Sequence, residues 1–284
     1  MTQPQKTQLE RTQIASKDGT QLYYKQWGEG RPVILISGWP LSADSWDDVA
    51  LNLAENGFKA IAYDRRGFGR SEQPWTGYHY DTLADDLAAV IEQTGATDAT
   101  LIGFSMGGGE VARYLSRYGA DHIAQAVLIS SVVPYLLKTD DNPDGVPQAQ
   151  FDDMAAQMKA DRPEFFKSFF KDFYGIGVFS HPASQGMIDW SVKIALDASL
   201  KATLDCAKAF SSTDFRPDLA AFTVPTLLIH GTADSTVPIE PTAEAATKAI
   251  PHAQLIRYEG APHGLFATHK QQLIDDILDF VKQG

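Results

Sequence analysis

Short apolar runs rich in β-branched residues recur along the chain: Val33–Ile36, Ala60–Tyr63, Ala99–Ile102, Ala126–Ile129, Thr226–Ile229 and Ala253–Ile256. Most are apolar on successive residues rather than alternate ones, the pattern of parallel strands covered on both faces. Between them the period becomes helical. Trp46, Val49, Ala50 and Leu53 share one face, as do Leu83, Leu87, Val90 and Ile91, and Leu273, Ile274, Ile277, Leu278 and Val281. Residues 11–27 read differently: Asp18-Gly19 between two strand-like pieces predicts a hairpin. Strand–helix alternation after an antiparallel start predicts an α/β fold, a mostly parallel central sheet flanked by helices.

One stretch breaks this rhythm. Between Val133 and Phe215 no strand-like run of comparable quality occurs, and Thr139–Gly145 is a loop by composition. Helical spacing follows, as at Met187, Trp190 and Ile194, and His269 is expected on a helix near the C-terminus. Nine of the 15 phenylalanines fall between Phe151 and Phe215, so the segment reads as an aromatic-rich helical cap over the sheet edge. Those rings either hold the cap together or face a ligand. The expected organisation is a core part over residues 1–132, a helical cap over 133–215 and a second core part over 216–284.

Charge and composition narrow the function. Lys+Arg 24 against Asp+Glu 36 leaves a net charge of −12, which repels nucleic-acid phosphates and acidic membrane surfaces. The single cysteine, Cys206, excludes an intrachain disulfide and a multi-cysteine zinc site. The polar start Met1–Lys6 reads as no signal peptide, and no apolar run approaches the ~18–20 residues of a membrane span. A soluble, cytoplasmic protein is expected.

The chemistry centres on Gly103-Phe104-Ser105-Met106-Gly107. A lone G-x-S-x-G is weak, but here a buried-strand run precedes it and a helical pattern, Met106–Tyr118, follows. A serine on so sharp a turn projects its hydroxyl above the sheet, and close strand–helix approach demands the flanking glycines. A phosphate loop is excluded: there is no G-x-x-x-x-G-K-[ST], and Gly67-Phe68-Gly69 lacks the third glycine of a dinucleotide fingerprint. A serine nucleophile needs a histidine base and a carboxylate that orients it. His263 follows the last strand, at the carboxyl edge where such sheets place ligands. Asp234 follows the Thr226–Ile229 strand; its rival Asp64 precedes the serine and is followed by Arg65-Arg66 and Arg70, so that a neighbouring arginine is expected to neutralise it. His230 is placed to support the acid loop. The order Ser105, Asp234, His263 is the one expected of a hydrolase elbow. The oxyanion hole then draws on the backbone N–H groups of Met106 and of Trp39, in the loop after Val33–Ile36.

The segments Gly38–Trp46, Tyr63–Ser71, Gly103–Tyr114 and Ala261–Phe266 closely resemble the α/β-hydrolase superfamily, and within it the cofactor-free (non-haem) haloperoxidases and bacterial aryl esterases. The resemblance spans nearly the whole chain and implies the α/β-hydrolase fold with a cap. Position by position it implies the same triad and the same oxyanion donors. It also implies a small carboxylic ester as substrate, hydrogen peroxide as an alternative to water, and no cofactor or metal. One departure stands out: where the family often has histidine before Gly38, this chain has Ser37, which bears on the shape of the loop. Dehalogenases and epoxide hydrolases need a carboxylate nucleophile, and Ser105 argues against both. A lactonase or γ-lactamase-type amidase stays open on the same triad, as do, further off, a non-catalytic ligand receptor and a cofactor-free oxygenase. Homo-oligomerisation is left open.

Overall fold

A computed structural model describes residues 12–284; the polar start Met1–Lys6 lies outside them. Eight strands, β1 (Gln13–Ala15), β2 (Gln21–Trp27), β3 (Arg31–Ile36), β4 (Phe58–Tyr63), β5 (Ala99–Phe104), β6 (Ile123–Ile129), β7 (Thr226–Gly231) and β8 (Gln254–Tyr258), form one sheet in the order β1-β2-β4-β3-β5-β6-β7-β8. Strands β3 to β8 run parallel. Antiparallel β1 and β2 form the expected hairpin around Asp18-Gly19, and β2 continues the sheet by pairing antiparallel with β4. Every residue of β5 and β7 is buried, as successive apolar positions require. The last run behaves otherwise. As the edge strand, β8 leaves Leu255 and Ile256 only partly covered.

The strand order positions the site. The chain passes from β3 outward to β4, then returns to lay β5 on the other side of β3. The carboxyl ends of neighbouring β3 and β5 thus flank the point where strand order reverses, the crevice in which open α/β sheets bind ligands. Core helices α1 (Asp47–Glu55), α2 (Tyr80–Gln93) and α3 (Met106–Tyr118) follow β3, β4 and β5, and α2 packs on α3. The short α7 (Ala245–Ala249) and α8 (Leu265–Thr268) precede α9 (Lys270–Val281), which packs on α1. His269 corrects the sequence reading: its non-helical backbone (φ −130°, ψ 35°) separates α8 from α9, so it lies in neither.

Three helices, α4 (Gln148–Phe173), α5 (Gln185–Asp197) and α6 (Leu200–Ser212), fill the stretch between β6 and β7. Ser184 and Ser199 cap α5 and α6 by accepting from Met187 N and Ala202 N at 3.2 and 2.9 Å. Helix α4 is broken at Asp161 (φ −153°, ψ 88°), whose side chain accepts from Glu164 N at 3.0 Å and so starts a new helical segment containing Pro163. Trp190 is more exposed than its spacing implies, because α5 buries Ile188, Ser191, Val192 and Ala195 instead. Most of the clustered phenylalanines pack inward; Phe179 is 99% exposed and does neither job expected of it.

Candidate active site

Ser105 stands between β5 and α3 with φ 53° and ψ −117°, backbone angles that cost a non-glycine residue about 1–3 kcal/mol. The turn is held by Ser105 N donating to Ile129 O (2.8 Å) and by its carbonyl accepting from Gly108 N (3.0 Å). The flanking glycines are steric necessities. A Cβ on Gly103 would stand 2.6 Å from Gly107 O, and one on Gly107 would stand 2.5 Å from Ile36 O.

His263, in the loop between β8 and α8, brings Nε2 to 3.0 Å from Ser105 Oγ. Its Nδ1 lies 2.6 Å from Asp234 Oδ2. The imidazole is packed between Phe104 and Phe173, with ring centroids 5.1 and 4.8 Å away, and Ser130 Oγ donates to the His263 carbonyl at 3.3 Å. Asp234, in the turn after β7, is buried. Its Oδ1 accepts from Thr236 N (3.0 Å) and Val237 N (2.8 Å). Oδ2 faces His230 Nε2 at 3.4 Å as well as His263. Burial pushes this carboxyl up, but the charge that His263 takes on and the hydrogen bonds from His230 and His263 outweigh it. The group is held well below the usual carboxylate range. His230 therefore sits beside the acid, its Nε2 also 2.8 Å from Val237 O.

Asp64 is engaged elsewhere: its Oδ2 accepts from Arg70 N and Arg70 Nε, both at 2.8 Å. The arginine that neutralises it is Arg70, while Arg65 and Arg66 pair with Glu110 and Asp86.

The loop after β3 turns through a bond from Leu41 N to Gly38 O (2.9 Å). A Cβ on Gly38 would lie 2.6 Å from the Phe104 ring and 3.0 Å from Ser105 Cβ, so the loop is pressed against the serine. Ser37, the departure noted above, closes the loop from within by donating Oγ to Ser42 O at 2.8 Å. Trp39 anchors its indole through Nε1 to Thr203 O of α6 (3.0 Å) and packs against Phe165, Phe166, Phe169 and Phe210. The backbone amides of Trp39 and Met106 donate to no group among the described residues. Both are free to meet an incoming oxyanion.

Above Ser105 and His263 opens a cavity of about 290 Å³, its walls mostly apolar: Val132, Val146, Phe151, Met154, Phe169 and Phe210. Asp172 is the one carboxylate among the described residues that line it. Sequence reasoning did not find Val132, Val146 or Thr236 at this cavity; they lie in irregular segments without a period to read.

The family model for the alpha/beta hydrolase fold matches residues 31–270. The chain is 44% identical over 273 residues to a non-heme chloroperoxidase of Streptomyces lividans, covering 95% of this chain and 99% of the other. It is 40% identical over 276 residues to a bifunctional esterase/perhydrolase of Acinetobacter calcoaceticus, with the same coverage. The crystal structure of a bromoperoxidase from Bacillus anthracis superposes with a TM-score of 0.91 at 44% identity, covering 95% of this chain and 99% of that one.

Proposed function

The chain belongs to the alpha/beta hydrolase family, and from that premise we propose a serine hydrolase of small carboxylic esters that becomes a perhydrolase when hydrogen peroxide replaces water. The observation that supports this reading most is the continuous line from Ser105 Oγ to His263 Nε2 (3.0 Å) and from Nδ1 to Asp234 (2.6 Å), made by the ends of three strands.

Ser105 Oγ attacks the ester carbonyl as His263 Nε2 takes its proton, and Asp234 holds the imidazole in the tautomer that can accept it. The carbonyl oxygen becomes an oxyanion, met by the N–H groups of Trp39 and Met106. Collapse breaks the ester C–O bond, and His263 returns the proton to the leaving alcohol. Water, deprotonated by His263, then cleaves the acyl-enzyme to carboxylic acid. Hydrogen peroxide in that role gives a peroxycarboxylic acid. Its terminal oxygen passes to halide in solution, so that peracid, halide and a proton yield carboxylic acid and hypohalous acid. No step calls on a metal or prosthetic group.

The small apolar cavity supports short acyl and aryl esters as substrates. The stretch 133–215 is assigned as a cap between the two core parts, and a cytoplasmic setting accords with a single buried cysteine. Among the described residues no helix is long and apolar enough to cross a membrane. A fluorophosphonate should label Ser105 alone and stop turnover of p-nitrophenyl acetate, with Ser105→Ala abolishing both. Label on another residue with turnover retained refutes the assignment.

A further inference from the structure

Asp64 and Arg65 are consecutive residues at the carboxyl end of β4, and both side chains are buried with their charges. Buried ions lose hydration that their pairing does not always repay, so their partners deserve an account. Asp64 Oδ1 accepts from Ala43 N at 2.8 Å. Arg65 Nη2 donates to Ser37 O at 2.5 Å. Ser37 and Ala43 are the two ends of the loop that carries the Trp39 amide. This dipeptide therefore grips that loop at both ends.

Arg65 also reaches the other half of the oxyanion hole. Its Nε donates to Glu110 Oε1 at 2.6 Å, and Glu110 Oε2 accepts from Tyr63 OH at 2.6 Å. Glu110 lies about one turn into α3, four residues after Met106. A single rigid guanidinium thus spans from the segment bearing one amide donor to the helix bearing the other. Its Nη1 is buried without a hydrogen-bond partner among the described residues. The orientation of the fork follows from the two groups it holds rather than from satisfying every donor. Neither Asp64 nor Arg65 lines the cavity.

We propose that Arg65, seated on Glu110, and Asp64 are positioning residues that fix the Trp39 amide relative to the Met106 amide and so act on the transition state rather than on ester binding. The proposal rests on the serine-hydrolase reading above. Preorganised donors lose their value when they must be reoriented during reaction, so loosening the grip falls on kcat.

Arg65→Met alone would strand the Glu110 charge in the interior, so the test uses Arg65→Met/Glu110→Gln, which removes both charges and leaves Tyr63 an acceptor. Arg65→Lys is the second variant: it keeps the charge opposite Glu110 but lacks the fork that also reaches Ser37 O. Tyr63→Phe removes the hydroxyl on Glu110 and leaves the Arg65–Ser37 contact. Turnover of p-nitrophenyl acetate is measured per fluorophosphonate-titrated Ser105, together with inhibition by phenylboronic acid, a mimic of the tetrahedral intermediate. The expected result is a loss of about 100-fold in kcat for the double variant and about tenfold for Arg65→Lys. KM should stay within about threefold, and boronate affinity should fall in step with kcat. Tyr63→Phe, which keeps Arg65 on both Ser37 O and Glu110, should lose less in kcat than Arg65→Lys, and an equal or larger loss overturns the proposal. Wild-type kcat in Arg65→Lys or the titratable double variant, or a loss confined to KM, overturns the proposal. Wild-type protein that neither turns over ester nor is titrated at Ser105 refutes the hydrolase reading instead, and the clamp with it.

Discussion

Replacing Asp234 by asparagine tests the whole catalytic line, because the structure dictates how the amide must sit. Oδ1 accepts from two backbone amides, the half-buried Thr236 N and the buried Val237 N, while Oδ2 faces His263 Nδ1 and His230 Nε2. Asparagine has one acceptor oxygen and one NH₂ donor. With its oxygen towards the loop amides, the NH₂ points at His263 Nδ1, which must then be the unprotonated nitrogen. The ring proton moves to Nε2, and the base can no longer take the proton of Ser105. The opposite orientation sets NH₂ against both loop N–H donors and leaves the buried Val237 N–H unsatisfied at about 1–3 kcal/mol. The first opposes only the longer His230 contact at 3.4 Å, so the first orientation wins. Asp234→Asn should therefore fold normally, with near-UV circular dichroism like wild type, and lose about 10⁴-fold in kcat. That loss equals about 5.4 kcal/mol of barrier. The assay is p-nitrophenyl acetate hydrolysis at pH 8. A folded Asp234→Asn enzyme within tenfold of wild-type kcat would show that tautomer control by this carboxylate is not what the site depends on.

Further outcomes follow from particular groups. Because the Asp234 carboxyl is held well below its usual range, it should stay ionised in weak acid, and an Asp234 carboxyl seen by carbon NMR to titrate between about pH 4 and 5 refutes this. The same carboxylate contributes stability that is present above the unfolded carboxyl pKa of about 3.9 and lost as pH drops further, measurable by denaturant titration at pH 5 and 3. Gly107→Ala places a Cβ 2.5 Å from Ile36 O and should cost about 1–3 kcal/mol, read as a lower Tm; an unchanged Tm contradicts the close-approach argument. Asp172→Asn should raise kcat/KM about two- to threefold for a mono-anionic ester at low salt and leave a neutral ester unchanged, while equal effects on both esters would rule out charge repulsion by this carboxylate. Burial pushes the Cys206 thiol up to about 12, so iodoacetamide at pH 8 should modify it only after unfolding, as read by mass spectrometry.

What could be read from the chain depended on how local the signal was. The elbow announces itself because Gly103, Ser105 and Gly107 are adjacent to a buried strand and a helix in the sequence itself. Asp234 and His263, which the structure brings to Ser105, were picked because each follows a strand and comes after the serine, the order that set Asp64 aside. The antiparallel hairpin was visible at Asp18-Gly19, but not that β2 would extend the sheet beside β4, since strand order is a long-range choice. Arg65 and Glu110 were hidden for another reason. Charged residues at a strand end and within a helix ordinarily face water, and only the assembled core shows both with their charges inside. His269 fell outside its expected helix because its neighbours carry the helical pattern while its own backbone turns the chain.

The break at Asp161 divides labour within one long helix. Beyond it, Phe165, Phe166 and Phe169 press on Trp39, and Phe173 presses on His263; that half is keyed to the reacting groups and tolerates little remodelling. Ahead of it, Gln150, Phe151 and Met154 line the cavity, and the Phe151 ring packs edge-on against Phe210 rather than on Trp39 or His263. Selection for new substrates, in nature or in the laboratory, has its freest ground in those first three turns, where side chains can change while the chemistry behind them stays in register.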